Sequence, residues 1–388
     1  MEEQKSAERF VPKIYRICLT GGPCGGKTSA ASHIKEKLGE KFILYFLPEV
    51  AAATVTAGVV IIPSEFTPDT HTIFTQGIME MQINLEDYFY KIATIQKKDV
   101  IIISDRGCID NLAYATPEVR DRVLKMSNWK MEEIRDNRYD AVIHLVTAAD
   151  GAEKFYTLEN NSARSETPEV AKWVDKRTQE VWNGHPNFKI ISNTAVDSFK
   201  HKIDEVYKCI CKVIDLPEEP SIVVKYLVKG VFDDSKLPEG SGQEKYHETY
   251  HFLPSSKDDE QVWVMKRVTA ETKGETFSHT RRRLAKVAAE RLELSRIIDH
   301  RQYEDDLKLS EAQKTIVPVE KDVIVFIHEN NNYAVENIYI NEKKVSILRC
   351  QVFDKEKVKV PEFIEIEEEI TENPKYFTAN LAKQTAAE

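Results

Sequence analysis

Residues 21–28 read Gly21-Gly22-Pro23-Cys24-Gly25-Gly26-Lys27-Thr28 and fit the pattern GxxxxGK[ST]. An apolar run, Tyr15 to Thr20, precedes the segment, and a helix-like stretch, Lys27 to Leu38, follows it. Glycines let backbone N–H groups turn toward phosphate oxygens, and the start of a helix adds a positive dipole. Lys27 would reach the outer phosphates of a nucleotide, and Thr28 would bind Mg²⁺. The segment therefore predicts a binding loop for ATP or GTP, with a glycine-rich helix-opening turn as the alternative.

The first 215 residues alternate short apolar runs with helix-like stretches, a pattern typical of parallel strands joined by crossover helices. The predicted strands are Tyr15 to Thr20, Phe42 to Leu47, Val100 to Ser104, Ala141 to Thr147 and Phe188 to Ser192. The predicted helices are Lys27 to Leu38, Thr72 to Lys97, Ala152 to Leu158, Pro168 to Trp182 and Val196 to Ile214. Residues 1–215 are therefore predicted to form a P-loop domain with a doubly wound parallel sheet.

The pattern changes at residues 216–220, where two prolines bracket two glutamates and indicate a hinge. Residues 221–388 then contain runs that are rich in β-branched residues or have apolar residues at every second position. These runs are Ile222 to Val228, Tyr246 to Leu253, Val262 to Val268, Val323 to His328, Tyr333 to Ile340, Val345 to Phe353 and Phe363 to Ile370. Together with glycine- and asparagine-containing turns, they predict an antiparallel β-barrel. Residues 283–298 fit both a helix and a strand; local propensity favours the helix without settling the choice. The expected fold class is α/β + β.

The charge balance of the 388-residue chain is acidic, with 54 Lys and Arg against 64 Asp and Glu. A net charge of −10 argues against attraction of nucleic acid to the whole surface. The longest apolar stretch, Val50 to Ile62, is shorter than the roughly 20 residues that a bilayer span needs. The N-terminal residues lack the layout of a signal peptide, and the six cysteines form no CxxC pair. We therefore expect a cytoplasmic protein with free thiols and no transmembrane segment.

A carboxylate ends the most apolar predicted strand, because Val100 to Ile103 runs into Ser104-Asp105-Arg106. Ligands of open α/β sheets bind at the carboxyl ends of the strands. We therefore expect Asp105 to hold Mg²⁺ or its water, a role that is compatible with capping the following helix. Arg106 is the adjacent candidate for a charge clamp on a phosphoryl group.

Three further residues follow predicted strands. Glu49 ends the second strand, where it is either the base for an acceptor hydroxyl or a cap for the next helix. Arg164 follows the fourth strand, where a lid arginine would neutralise charge during phosphoryl transfer; a solvated loop residue is the alternative. Asn193 follows the fifth strand, where P-loop proteins often contact the base. The surrounding residues lack the Asp of the NKxD guanine signature, so they leave GTP and ATP open.

These segments make the chain resemble the TRPL translocation defect protein family, which joins an AAA-type P-loop domain, similar to nicotinamide riboside kinase, to a CYTH-like domain. The resemblance rests on residues 21–28, Leu47-Pro48-Glu49, Ser104-Asp105-Arg106-Gly107 and Trp182-Asn183-Gly184-His185-Pro186. In the second domain it rests on Thr280-Arg281-Arg282, Pro361 to Glu367 and Ile370-Thr371. It implies GTP binding and recognition of acidic phospholipid headgroups such as phosphoinositides. It also implies membrane-protein trafficking, at a peripheral membrane, cilium or cytoskeletal location with partners in such an assembly.

The second domain departs from CYTH domains that hydrolyse triphosphates, which open with Glu-x-Glu-x-Lys and bind metal through both carboxylates. Here the run is Ser221-Ile222-Val223-Val224-Lys225, which keeps only the lysine. We therefore expect anion binding without triphosphatase activity. The candidate anion-binding residues are Lys225, Lys266, Arg267, Arg281, Arg282 and Arg283. Alternation along a strand predicts that Arg281 and Arg283 share one face and that Arg282 lies on the other, so at least one arginine should point into the barrel beside Lys225.

Three functions remain open at the level of sequence. The leading one is a regulatory protein that binds GTP or ATP with Mg²⁺ through its first domain and an anionic ligand or membrane surface through its second. The second is a kinase for a nucleoside-like hydroxyl, with Glu49 as base, Asp105 at the metal, and Arg106 and Arg164 as charge clamps. The third is a structural role in a large assembly, in which the nucleotide only stiffens the fold.

Overall fold

The computed structural model describes residues 10–60, 62, 65–156, 167–214, 216, 222–283, 292–311, 318–340, 343–352 and 358–385. The helices are α1 (Lys27–Leu38), α2 (Val50–Thr56), α3 (Pro68–Ala93), α4 (Pro117–Ser127), α5 (Pro168–Trp182), α6 (Phe199–Val213), α7 (His300–Glu311) and α8 (Thr378–Thr385). The strands of the first sheet are β1 (Ile14–Thr20), β2 (Ile43–Leu47), β3 (Val100–Asp105), β4 (Ala141–Leu145) and β5 (Phe188–Ile191). The strands of the second are β6 (Ile222–Val228), β7 (Glu244–Leu253), β8 (Glu260–Thr269), β9 (Glu275–Arg283), β10 (Leu292–Ile298), β11 (Val319–His328), β12 (Asn331–Ile340), β13 (Lys343–Val352) and β14 (Ile366–Glu369).

The first sheet has five parallel strands in the order β2-β3-β1-β4-β5, which confirms the predicted α/β architecture. Successive residues of β1 point to opposite faces, since Ile17 packs with α1 and α6 while Cys18 packs with Met79 of α3. Helices therefore cover both faces of the sheet. The carboxyl ends of all five strands lie at one edge, where ligands of such sheets bind.

Helix boundaries differ from the prediction where capping residues decide them. The predicted helix Thr72 to Lys97 is α3, which begins at Pro68 because Thr67 forms a capping box with Thr70. The segment Ala152 to Leu158 is not an α-helix where it is described, because only Glu153–Phe155 forms one 3-10 turn. The analysis of apolar runs missed α4, whose short amphipathic sequence begins after the cap residue Thr116.

The second sheet is antiparallel and has nine strands in the order β10-β9-β8-β7-β11-β12-β13-β6-β14, which confirms a separate β domain. Residues from both ends of this order, Glu293 on β10 and Lys225 on β6, line one cavity, so the sheet curls around it. Residues 292–298 form a strand that pairs with β9, so tertiary pairing overrides the helical propensity of this stretch. The predicted hinge at 216–220 stays a prediction, since residues 217–220 lie outside the described ranges.

A buried arginine joins the two domains. Arg135, in the helical turn Glu132–Asp136, donates to Asp136 Oδ1 (2.6 Å) and to the Asn183 carbonyl (2.7 Å). From the β domain it meets the Glu244 carboxylate and Tyr246 Oη, the latter at 3.2 Å. Its side chain is only 3% exposed, so this ionic contact between the domains is shielded from water.

The segment Trp182 to Pro186, noted above for its resemblance, lies at the same contact. Gly184 has φ +94°, and a β-carbon there would collide with Tyr246 Oη, so glycine is required. Its carbonyl accepts a hydrogen bond from Arg267 of β8 at 3.0 Å. The segment Trp182 to Pro186 therefore forms part of the contact between the two domains.

None of the helices that the structure describes combines the length and apolar character needed to cross a bilayer.

Candidate functional site

The phosphate-loop segment connects β1 to α1 and lies against the end of β4. Gly21 has φ +125°, and a β-carbon there would collide with the Leu145 carbonyl oxygen. Gly26 has φ +103°, with the Phe199 ring of α6 2.8 Å from where its β-carbon would be. These positions demand glycine for conformation and for space, so the loop is held tightly at the sheet edge.

The N-terminus of α1 is open toward the loop. Thr67, Thr116, Thr167 and Ser198 cap α3, α4, α5 and α6 through their side chains, whereas no side chain in the described ranges caps α1. The first turn of α1 also contains no acidic residue. Its N–H groups and positive dipole are therefore available to an anion, as expected of a phosphate-binding loop.

Lys27 lies in the first turn of α1, and its Nζ donates to the Gly21 carbonyl at 3.2 Å. Burial lowers the pKa of its ammonium group, and the Arg106 cation adds to this shift. Asp105 and Glu49 act in the opposite direction. A phosphate group entering the loop would add negative charge beside this cation and favour its charged form.

Asp105, Arg106 and Glu49 meet at the carboxyl ends of β2 and β3. Arg106 has a left-handed backbone (φ +69°), uncommon for a residue with a side chain, and its Nε donates to Glu49 Oε1 at 2.8 Å. Arg106 Nη1 also lies 3.9 Å from Asp110 Oδ1. The structure thus brings these three sequence-predicted residues together beside Lys27, with Glu49 and Arg106 forming an ion pair.

Asp105 fits the role of a metal-site acid. Its Oδ1 atom is shielded from solvent and accepts no hydrogen bond from the described residues, which leaves a buried carboxylate oxygen for a metal-bound water. Burial raises the pKa of this carboxyl, whereas Lys27 and Arg106 lower it. Thr28 is exposed in the first turn of α1. Mg²⁺ arriving with a nucleotide would be held by Thr28 and Asp105 and would neutralise phosphate charge.

Asn193 and Arg164 are placed differently from these residues. The Asn193 amide donates to the carbonyls of Thr147 (2.8 Å) and Asp150 (2.6 Å), and its oxygen accepts from the buried Lys202 at 2.7 Å. Asn193 therefore fixes the loop after β5, and its contact with a base stays a prediction. Arg164 lies outside the described residues.

A second candidate site is a cavity of about 220 Å³ between the β domain and the P-loop domain. Its charged lining residues are Lys189, Lys212, Lys225, Arg267, Arg282, Glu293 and Arg349. Burial lowers the pKa of Lys225 to about 7, aided by the cations of Lys321, Arg282 and Arg349 and opposed by Glu336. Burial likewise lowers the pKa of Lys189 to about 8. Three of the guanidinium groups are paired with carboxylates, Arg267 with Glu248, Arg282 with Glu293 and Arg349 with Glu336. The lysines give the cavity wall an excess of basic groups, which suits a compact anion.

The structure divides the six basic residues predicted for anion binding. Lys225, Arg267 and Arg282 line the cavity, whereas Lys266, Arg281 and Arg283 do not. Arg267 is held by Glu248 Oε1 (2.6 Å) and by the domain contact. Arg282 donates to Glu293 and lies over the Trp263 ring, whereas its two neighbours Arg281 and Arg283 are exposed.

The β8–β9 register explains the division. Lys266 pairs with Phe277 near the turn, but Arg282 pairs with Gln261 at the opposite end of the hairpin. The basic residues of the β8–β9 hairpin therefore do not form one patch. Arg282 lies near Lys225 because the sheet curls. The sequence analysis also missed Lys189 and Arg349, which come from elements distant along the chain.

The first domain matches a known protein family. Residues 16–197 match a family described as an AAA domain, so this part of the chain is similar to AAA-type P-loop domains. No curated protein sequence matches the chain. The resemblance to the TRPL translocation defect protein family remains an expectation from the quoted motifs.

Three solved structures show limited likeness. The PH1819 protein from Pyrococcus horikoshii OT3 is 16% identical over 35% of this chain and 80% of its own, with a TM-score of 0.27. A protein from Hippeastrum, assigned as an adenylyl cyclase with a dominant triphosphatase activity, is 8% identical over 35% and 81%, with a TM-score of 0.27. A protein from Bacillus halodurans assigned as an adenylate cyclase is 12% identical over 36% and 83%, with a TM-score of 0.25. Likeness at this level supports no shared activity or ligand.

Proposed function

We propose that the protein is a regulatory nucleotide-binding protein whose P-loop domain binds a nucleoside triphosphate with Mg²⁺. The observation that carries this proposal is the open N-terminus of α1, with Lys27 and the shielded carboxylate oxygen of Asp105 beside it. A triphosphate would satisfy the helix N–H groups and the ammonium group together. The preference for GTP over ATP rests on the family resemblance. Identifying the nucleotide that co-purifies with the full chain, by chromatography, tests both points.

Asp105→Asn should weaken binding of the Mg²⁺ complex of the nucleotide much more than binding in excess chelator. The amide keeps the size of the side chain but removes the charge that would attract the metal and its waters. Calorimetry with and without EDTA measures the difference. Asp99→Asn is a control at the amino-terminal end of β3, where Asp99 Oδ1 accepts from the Lys13 backbone N–H. Equal losses with and without chelator would show that Asp105 has only a structural role.

The β domain is proposed to bind a polyanion of the size of a phosphoinositide headgroup in the cationic cavity. The support is the set of six basic side chains on the cavity wall, which outnumber the carboxylates of Glu248, Glu293 and Glu336 that pair with its three arginines. Both domains contribute, because Lys189 and Lys212 come from the P-loop domain and Lys225, Arg282 and Arg349 from the β domain. A role at membranes, in trafficking with protein partners, is proposed with it on the strength of the family resemblance.

Arg282→Gln should weaken binding of soluble inositol trisphosphate by roughly tenfold, because a charge-assisted contact to phosphate is lost. Arg281→Gln is the matched control, since its side chain is on the opposite face of β9. Calorimetry compares the two variants, and sedimentation with phosphoinositide liposomes tests the attached headgroup. If only Arg281→Gln weakens binding, the ligand lies on the outer surface of the sheet. If the wild type does not bind inositol trisphosphate, the proposed anion site is wrong.

Anion binding in the cavity should weaken as the pH rises above 7. Lys225 must be protonated to attract the anion, and its pKa in the free protein is about 7, with that of Lys189 about 8. Because a bound anion raises both pKa values, binding takes up protons, and affinity should fall by up to about tenfold per pH unit for each lysine. Titrations at constant ionic strength from pH 6 to about pH 9 measure the slope. A flat profile would exclude both lysines from the site.

A small-molecule kinase is the second candidate, favoured by the Glu49–Arg106 pair at the sheet edge. Glu49 is 32% exposed and its charge acts on Lys27, so a carboxylate lies near the phosphate loop. An acceptor hydroxyl would lose its proton to Glu49 and attack the γ-phosphorus, and a nucleoside diphosphate would leave. Transfer of γ-phosphate label to an added nucleoside would establish this function, whereas slow or absent turnover favours the regulatory one.

A further inference from the structure

The phosphate loop is hydrogen-bonded to a buried carboxylate. Asp175 of α5 is 2% exposed, and its Oδ1 accepts from the backbone N–H groups of Gly22 (2.7 Å) and Thr147 (3.0 Å). Its Oδ2 is 3.0 Å from both His144 Nε2 and Gln179 Nε2. Burial opposes ionisation, yet the net pKa of Asp175 is lowered because His144 and these hydrogen bonds favour the carboxylate. The position of the Asp175 carboxylate therefore determines where the Gly22 backbone of the loop lies.

The β domain reaches this carboxylate through two amides. Gln179 lies one helical turn after Asp175, and its Nε2 donates to Asp175 Oδ2 and, at 2.8 Å, to Asn330 Oδ1. Asn330 lies in the turn between β11 and β12, where its φ is +59° and that of Glu329 is +46°. Asparagine tolerates this left-handed conformation better than most residues, so the turn can present its amide.

The same Asn330 side chain reaches the other side of the nucleotide site. Its Nδ2 donates to Asp150 Oδ2 at 2.8 Å. The Asp150 carbonyl accepts from Asn193, the residue that fixes the loop after β5. One side chain of the β domain therefore connects the support of the phosphate loop with the loop predicted to face the base.

We propose that Asn330 is a positioning residue of the nucleotide site, acting through Gln179 and Asp175 on Gly22 and through Asp150 on the loop of Asn193. This inference rests on the proposed nucleotide binding. Because coupling between two events is reciprocal, a nucleotide that favours this loop geometry also stabilises the docking of the β11–β12 turn by the same factor. The turn thereby makes nucleotide affinity depend on how the β domain is docked.

An exchange of side chains between Asn330 and Asp150 tests the connection in the full chain. Asn330→Asp keeps an acceptor for Gln179 but puts a second carboxylate against Asp150, so affinity for the triphosphate should fall by roughly tenfold. Asp150→Asn alone should change it little, because an amide oxygen still accepts from Asn330. The double exchange, Asp150→Asn with Asn330→Asp, recreates the hydrogen bond with its partners reversed and should restore affinity to within about twofold.

Calorimetry with Mg·GTP and Mg·ATP gives the affinities, and thermal unfolding with and without nucleotide separates positioning from stability. A residue that only stabilises the fold would lower Tm equally in both conditions, whereas a positioning residue also reduces the Tm gain from saturating nucleotide. Asn331→Ala is the matched control, because within the described part of the chain the side chain of this neighbour donates to the Glu329 carbonyl (3.0 Å) and not to the nucleotide site. Should Asn330→Asp not fold, Asn330→Gly keeps the left-handed turn and removes both hydrogen bonds, with an expected loss of roughly threefold or more.

The outcomes distinguish the inference from the proposed function. A wild type that binds neither nucleotide overturns both. A wild type that binds while Asn330→Asp and Asn330→Gly bind equally well overturns only the positioning role. Weak binding that the double exchange does not restore also overturns it, because the loss then does not come from this hydrogen bond.

Discussion

Lys27→Ala should lower the affinity for the nucleoside triphosphate by tenfold or more. The ammonium group lies beside the uncapped N-terminus of α1 and donates to the Gly21 carbonyl at 3.2 Å, a contact that it can exchange for a phosphate. A charge-assisted hydrogen bond to phosphate is worth roughly 1.5 to 3 kcal/mol, which corresponds to at least about one order of magnitude in the dissociation constant. Calorimetry on folded protein measures this loss.

Lys37→Ala is the matched control for that experiment. Lys37 is an exposed lysine in the last turn of the same helix, so its removal changes the net charge equally without touching the loop. Its effect on affinity should be within about twofold, because charges separated by solvent are screened by salt. If the two variants bind equally, the loop is not the nucleotide site.

Arg135→Ala should lower the free energy of unfolding by about 3 to 5 kcal/mol, the cost of removing one partner from a buried ion pair. The change leaves the Asp136 carboxylate, which is 1% exposed, without its guanidinium, and it removes the ionic contact to Glu244 across the domain boundary. Burial already raises the pKa of Asp136, and Arg135 opposes that shift. Without Arg135 the pKa rises further, so the deficit relative to wild type should shrink as the pH falls and the carboxyl is protonated.

Urea unfolding followed by tryptophan fluorescence measures this effect, because Trp182 directly precedes the segment that Arg135 contacts. Arg122→Ala is the control. Arg122 is 42% exposed and pairs with Asp69 and Glu118 at the surface, and such pairs contribute about 1 kcal/mol or less. A similar loss in both variants would mean that the domain contact contributes no more than a surface ion pair.

The arrangement of the candidate nucleotide site could be predicted because its parts are local in the chain. Residues 21–28 carry their own conformational requirements. Asp105 ends β3 and Glu49 lies two residues after β2, and apolar runs identify both strands. Parallel strands bring their carboxyl ends to one edge of the sheet. The strand assignments alone therefore predict that these residues lie close together. The Glu49–Arg106 ion pair could not be predicted, because it depends on the left-handed backbone of Arg106.

The residues of the candidate anion site, in contrast, are far apart in the chain. The alternation of side chains along a strand correctly predicted that Arg282 lies on the opposite face of β9 from Arg281 and Arg283, because every strand has this alternation. Which other cations join Arg282 depends on the order of nine strands and on the docked P-loop domain. Lys189 and Arg349 have ordinary surroundings in the sequence, and only the cavity identifies them.

The sequence by itself determined the glycine-rich loop at residues 21–28, the alternation of strands and helices in the first domain and the β-rich nature of the second. Glycine conformation and the spacing of apolar residues act within a few neighbouring residues. Only the tertiary structure decided the domain contact at Arg135, the shape of the cationic cavity and the connection from Gly22 through Asp175 and Gln179 to Asn330. Asp175 is 153 residues from Gly22, and Gln179 is 151 residues from Asn330. Hydrogen bonds over such separations leave no periodic signal in the sequence, because they depend on how completed elements pack against one another.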